Sequence, residues 1–340
     1  MGRALGGLLG LLALVSPGAA QQSGEPVQPP PHTAPFPELT TGDSPGLAQA
    51  SYALGPEMVR GRSPREMLAD RRKLDRALAA LQPQRKGTID VYLVAVALDS
   101  DPVFSREARE AGRVLARRYA AAGRTVTLAG PDGRVADLPK GSLSALTLTL
   151  ARVAELIDPA EDVLVLYSTS HGAPEGIVYH DGDTGFGVLS PYRLGSMLNE
   201  LGITRRVILL SACFSGVFVP YLATRDTAIV TAAAADKTSF GCQADNDWTF
   251  FGDALVNHAL RKPVSLRAAS SEAARTIAGW EAGAALQPSE PQVVIGEGVE
   301  RWLAPLDAKI PREASVPVGR PAVSALPQPG TGPVVPAGRR

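Results

Sequence analysis

From residue 89 onward the chain alternates between short, nearly unbroken apolar runs and longer stretches whose apolar positions recur at helical spacing. The runs are "IDVYLVAVAL" (89–98), "TVTLAG" (125–130), "DVLVLYSTS" (162–170), "RVILLSA" (206–212) and "AIVTAAAA" (228–235). Apolar residues at every position, rather than every second one, predict strands buried on both faces. Between the runs, residues 104–123, 142–157 and 191–202 read as helices, the last opening on Pro191, which suits a first helical position. Helices at about 249–261 and 265–282 complete the series. Upstream, residues 47–83 carry Met67, Leu68, Leu74, Leu78 and Leu81 near helical spacing. One stretch departs from the alternation: "GIVYHDGDTGFGVLS" (176–190) reads as a hairpin turning at Asp181–Gly185.

Strands that alternate with helices require crossover connections. The expected fold is therefore α/β: a three-layer sandwich with a mostly parallel sheet and helices on both faces. In such sheets ligands bind beyond the carboxyl ends of the strands. That singles out the turns after residues 99, 170, 212 and 235, and two of them begin with His171-Gly172 and Cys213.

Composition narrows the partners. Lys plus Arg and Asp plus Glu both number 34, leaving no excess charge to neutralise phosphates, so nucleic acid is not an expected partner. Arg3, the apolar residues 4–15 and the small residues Gly18 and Ala20 form an export signal with cleavage after Ala20. Its apolar run is shorter than the roughly 20 residues that span a bilayer. The mature chain is thus expected in the periplasm or outside the cell, with no membrane span. Residues 21–46 read as a Pro-rich disordered linker and 47–64 as an N-terminal helical segment. Residues 65–300 read as one folded domain and 301–340 as a flexible tail rich in Pro, Gly, Val and Ala.

The chemistry rests on Cys213. A cysteine nucleophile needs a histidine to manage protons and donors for the oxyanion. His171 stands 42 residues earlier, also at a strand end. If the two strands are neighbours, the side chains emerge together. Gly172, lacking a side chain, lets its N–H approach a carbonyl, and Phe214-Ser215-Gly216 turn the chain below the thiol. His180 and His258 read as structural or solvent-facing, Cys242 as an inert thiol, and Asp236, Asp245 and Asp247 as loop charges. "DGDTG" (181–185) lacks the spacing and closing Glu of a calcium loop. No metal or cofactor is implied.

"TSHGAPEG" (169–176) and "SACFSG" (211–216) resemble the His-Gly and Ala-Cys blocks of the caspase and legumain superfamily. Cys-x-Ser-Gly points to the legumain branch, and "TAAAADKTSFGCQADNDWTFFGDAL" (231–255) is similar to a third legumain stretch. Over about residues 65–285 the chain looks most like exported bacterial members of that family. The resemblance implies a caspase-like fold and an endopeptidase acting on polypeptide, with Cys213 as nucleophile and His171 as proton donor. It implies an oxyanion hole from the N–H groups of Gly172 and Cys213, and Ser239 and Asp253 as lining of the pocket for the P1 side chain. Ser211 stands in that pocket region where eukaryotic members have an acid. "DSDPVFSREAR" (99–109) does not reproduce their Asn-x-Arg-His segment, although Arg106 offers a charge there. Cleavage after Asn or Asp and cleavage after a basic residue are both open on these residues. The unmatched segment also keeps a non-catalytic binding or scaffold domain in view.

Overall fold

The computed structural model describes residues 33, 35–130 and 137–326. The export signal, most of residues 21–34 and the end of the tail lie outside the described residues.

In chain order the elements are α1 (Pro45–Ala53), β1 (Glu57–Val59), α2 (Pro64–Ala79), β2 (Val91–Ala97), α3 (Pro102–Arg118), β3 (Thr125–Leu128), α4 (Leu143–Leu156) and β4 (Val163–Thr169). Then come β5 (Gly172–Ala173), β6 (Gly176–Asp181), β7 (Gly185–Leu189), α5 (Pro191–Glu200) and β8 (Arg206–Ser211). A short α6 (Val219–Leu222), β9 (Thr227–Thr231), α7 (Leu266–Gly283), β10 (Gln292–Ile295) and α8 (Val299–Asp307) follow.

Six strands form the main sheet in the order β10-β9-β8-β4-β2-β3. All its pairings are parallel except β10 with β9. Alternation along each strand sorts the core into two halves. Leu93, Ala95, Val165, Tyr167, Val207 and Leu209 face α3, α7 and α8. Tyr92, Val94, Leu164, Leu166, Ile208 and Leu210 face α2, α4 and α5. Burial on both faces explains the unbroken apolar runs. The fold is thus the expected α/β sandwich with a mostly parallel sheet.

A second, antiparallel sheet has the order β1-β7-β6-β5. Its β6–β7 hairpin turns between Asp181 and Gly185, where the sequence pattern puts it.

Several segments differ from expectation. Residues 47–64 are not one helical segment. Gly55, at φ +68°, and Pro56 end α1, and the chain continues as β1 along β7. Part of the expected linker is folded: Phe36 packs edge-on against Phe186 at 5.3 Å, and Thr33 donates to Asp183 at 2.5 Å. The helix expected at 249–261 is π-helical over Gly252–His258 and 3-10 over Ala259–Arg261. The tail expected from residue 301 is structured as far as Leu326. The amphipathic α8 buries Trp302, Leu303 and Leu306, and residues 313–322 are hydrogen-bonded along the domain.

Candidate active site

The register across the main sheet aligns Ala97 with Thr169 and Thr169 with Ser211. Two residues past each, at the carboxyl ends of β2, β4 and β8, stand Asp99, His171 and Cys213. Tyr167 and Leu209 face α3, and Phe104 of α3 packs against the His171 ring.

The turn after β8 is tightly built. Phe214 adopts the left-handed region at φ 56°, which costs a non-glycine residue roughly 1 kcal/mol. Its N–H donates to the Lys237 carbonyl at 2.7 Å, and Ser215 Oγ accepts from Ala233 N–H at 3.3 Å. A Cβ on Gly216 would stand 2.5 Å from Ala235 N, so only glycine lets the strand-end loops meet. Gly172 is constrained in the same way. A Cβ there would lie 2.0 Å from the Cys213 carbonyl oxygen. The His-Gly block is therefore packed directly onto the main chain of the thiol residue.

Cys213 is half-buried and free of any disulfide, as is Cys242. The described partner of its Sγ is Ser239: the Ser239 N–H donates at 3.2 Å, and Ser239 O and Oγ each lie 3.6 Å away.

Around His171 the Nε2 lies 3.6 Å from Asp101 Oδ2, and Phe104 meets the ring edge-on at 5.0 Å. Burial works against the charged imidazole. Hydrogen bonds to Asp101 and Cys242, with the charge of Asp99, outweigh it and push the pKa up to about 10. Asp101 does this because its carboxylate makes no cap hydrogen bond to α3, although it occupies the N-cap position. The sequence pattern starts this helix at residue 104 and gives Asp101 no role, whereas Asp101 is its N-cap residue and a partner of His171. It also reads Cys242 as inert, whereas the thiol is a partner of His171. Asp99, Asp101 and His171 each offer a ligand atom within 4.8 Å of the others. The ion pair to His171 already accounts for Asp101 there.

The expected pocket residues are distributed unevenly. Ser239 adjoins the thiol. Ser211 is buried, its Oγ 3.0 Å from Thr249 Oγ1. In its neighbourhood a carboxylate arrives from another element. Glu107 of α3 accepts from Tyr167 OH at 2.7 Å and from Thr249 N–H at 2.8 Å. Asp253 has no exposed surface. It accepts from Asn257 Nδ2 at 2.8 Å and from Ala322 N–H at 2.7 Å, and His258 Nε2 lies 3.3 Å away. It faces the C-terminal segment, not a space beside Cys213. Arg106 is likewise committed, donating to the carbonyls of Ala244 and Asn246 and pairing with Asp247 at 3.3 Å. Asp236 and Asp245 are exposed loop residues. His180 packs against Phe186, with its Nδ1 3.8 Å from Asp99.

A thiol and an imidazole thus stand just beyond the ends of adjacent central strands of a parallel sheet that is covered on both faces. Residues 144–294 match the model of the Peptidase C13 family, so this stretch is similar to cysteine-type peptidases. That stretch carries both His171 and Cys213 and leaves out Asp99, Asp101 and α3. Caspase-1 from Spodoptera frugiperda, a crystal structure, aligns over 64% of this chain and 93% of its own at 11% identity and a TM-score of 0.39. The fold assignment rests on strand order and the two covered faces. No curated protein matches the chain. No helix among the described residues is long and apolar enough to cross a membrane.

Proposed function

We propose that the protein is an exported cysteine endopeptidase working through a Cys213–His171 dyad. The observation that carries this is the register: His171 and Cys213 stand two residues beyond the paired Thr169 and Ser211 of neighbouring parallel strands.

In this reading His171 is an imidazolium near neutral pH, held by Asp101. Cys213 is the nucleophile, reacting as its thiolate, and the Ser239 N–H points at its sulfur. The sulfur attacks the scissile carbonyl carbon, and the carbonyl π electrons move to oxygen. The N–H groups of Gly172 and Cys213 would receive that oxyanion. When the tetrahedral intermediate collapses, the C–N bond breaks and His171 gives its proton to the leaving amine. Water then attacks the thioester and passes a proton to the neutral imidazole. The acid departs and the ion pair is restored.

Replacing Cys213 with Ala is expected to abolish hydrolysis of a mixed fluorogenic peptide library. Undiminished turnover in the variant would overturn the dyad, and no turnover by the unaltered protein would favour a scaffold domain. The same library, arrayed at P1, separates Asn and Asp from Lys and Arg. Cell fractionation with N-terminal sequencing checks export and cleavage after Ala20.

A further inference from the structure

Residues 313–322, which follow α8, are bound to the domain as an extended peptide is bound in a groove. The domain holds their main chain at several points, and the side chains of Ser315 and Arg320 as well. Asn257 pairs with Val318 at both polar atoms, accepting from its N–H at 2.9 Å and donating to its carbonyl at 3.1 Å. Trp248 Nε1 donates to the same carbonyl at 2.8 Å. Asp247 accepts from Arg320 N–H at 2.8 Å, and the buried Asp253 from Ala322 N–H at 2.7 Å. The side chains of Val316 and Val318 meanwhile point to solvent, 79% and 44% exposed. Gly319 is fixed by shape: its φ is +79°, and a Cβ there would lie 3.0 Å from the Asp247 side chain and 3.1 Å from Trp248 Nε1.

The groove residues are also the base of the loop that reaches the thiol. Asp247 is tied to Arg106 at 3.3 Å. Asn246 donates to Gly241 O at 2.8 Å, and Phe250 N–H to Phe240 O at 2.9 Å. Ser239, next in line, gives its N–H to Cys213 Sγ. We propose that residues 313–322 act as a positioning strap: by filling the groove of Asp247, Trp248, Asp253 and Asn257 they hold the 239–249 loop at Cys213. The effect on turnover rests on the peptidase reading above; the effect on the thiol does not.

The test compares the full chain with one ending at Glu313, with and without a synthetic peptide of residues 314–326. Three quantities are read: Cys213 alkylation by iodoacetamide, mapped by mass spectrometry, peptide hydrolysis, and tryptophan fluorescence as a gauge of strap binding. Without the strap, the Cys213 alkylation rate is expected to depart from that of the full chain and hydrolysis to fall at least about tenfold, since small misplacements at a reacting centre are costly. The added peptide restores both, and a peptide carrying Gly319→Ala does not. Should the shortened chain fail to fold, the full-length Gly319→Ala protein decides by the same alkylation rate. Alkylation at the full rate in the shortened chain, or in Gly319→Ala when only that protein folds, overturns the proposal. If alkylation follows the strap while no protein cuts any peptide, the strap stands and the peptidase reading falls.

Discussion

His171 Nε2 and Asp101 Oδ2 face each other at 3.6 Å, joining the end of β4 to the first turn of α3. The carboxylate is one reason that the imidazole pKa rises to about 10 against the cost of burial. A histidine whose pKa is raised on folding contributes stability that is fully present below its unfolded value, about 6.5, and is lost as pH rises through the folded value. Asp101→Asn is therefore expected to lower the melting temperature most between roughly pH 5 and 6.5, with the deficit closing toward pH 10. The alkaline limb of kcat/KM should move to lower pH in the same variant. A melting deficit that does not vary with pH would remove Asp101 from this role.

Gly172→Ala brings a methyl group against the Cys213 carbonyl at a separation no carbon can keep. The two strand ends must part. We expect a loss of about 1–3 kcal/mol in stability, the usual cost of overpacking, together with near-complete loss of turnover. Urea unfolding and peptide hydrolysis measure the two separately.

Glu107 is wholly buried and fastens α3 to both Tyr167 and Thr249. Burial, and then the Glu107 charge, raise the Tyr167 phenol well above its ordinary pKa. Glu107→Ala strands two buried donors, each worth about 1–3 kcal/mol, and should be among the most destabilising single changes in the domain. Tyr167→Phe strands only an acceptor that keeps its second partner, and should cost less. Denaturant midpoints of the two variants rank them.

Both cysteines are free, and Cys242 adjoins His171 rather than bonding to Cys213. A thiol titration of denatured, unreduced protein should count two thiols. Cys242→Ser removes one of the groups that raise the imidazole pKa, so the pH profile of Cys213 alkylation should shift while the alkylation site stays the same.

Much of the site was legible because it sits on the most regular part of the chain. The apolar runs ending at Thr169 and Ser211 mark buried parallel strands, and residues following such strands lie at one rim. What was hidden depends on pairs distant in sequence or on elements with little pattern. β1 is three residues long and owes its conformation to the edge of β7. α8 contains Pro305, which disguises a helix whose apolar face packs well. Residues 313–322 are held by Asp247, Asp253 and Asn257 through main-chain hydrogen bonds, and composition carries no trace of those. Asp253 shows the limit of a motif position: the residue occurs where the family pattern puts it, yet its carboxylate is engaged by Ala322.

The two flanks of the chain clasp opposite parts of the domain. Phe36 and β1 fasten to the hairpin sheet, while α8 and the residues after it cover the α3 and α7 side. This bears on how the protein can be cut or fused. A fragment ending near residue 300 would leave the sites of Trp302 and Leu306 open to water and the carboxylate of Asp253 without its Ala322 donor. A reporter or affinity handle belongs beyond Leu326, the last described residue, so that the contacts of Trp302, Leu306 and Ala322 are kept.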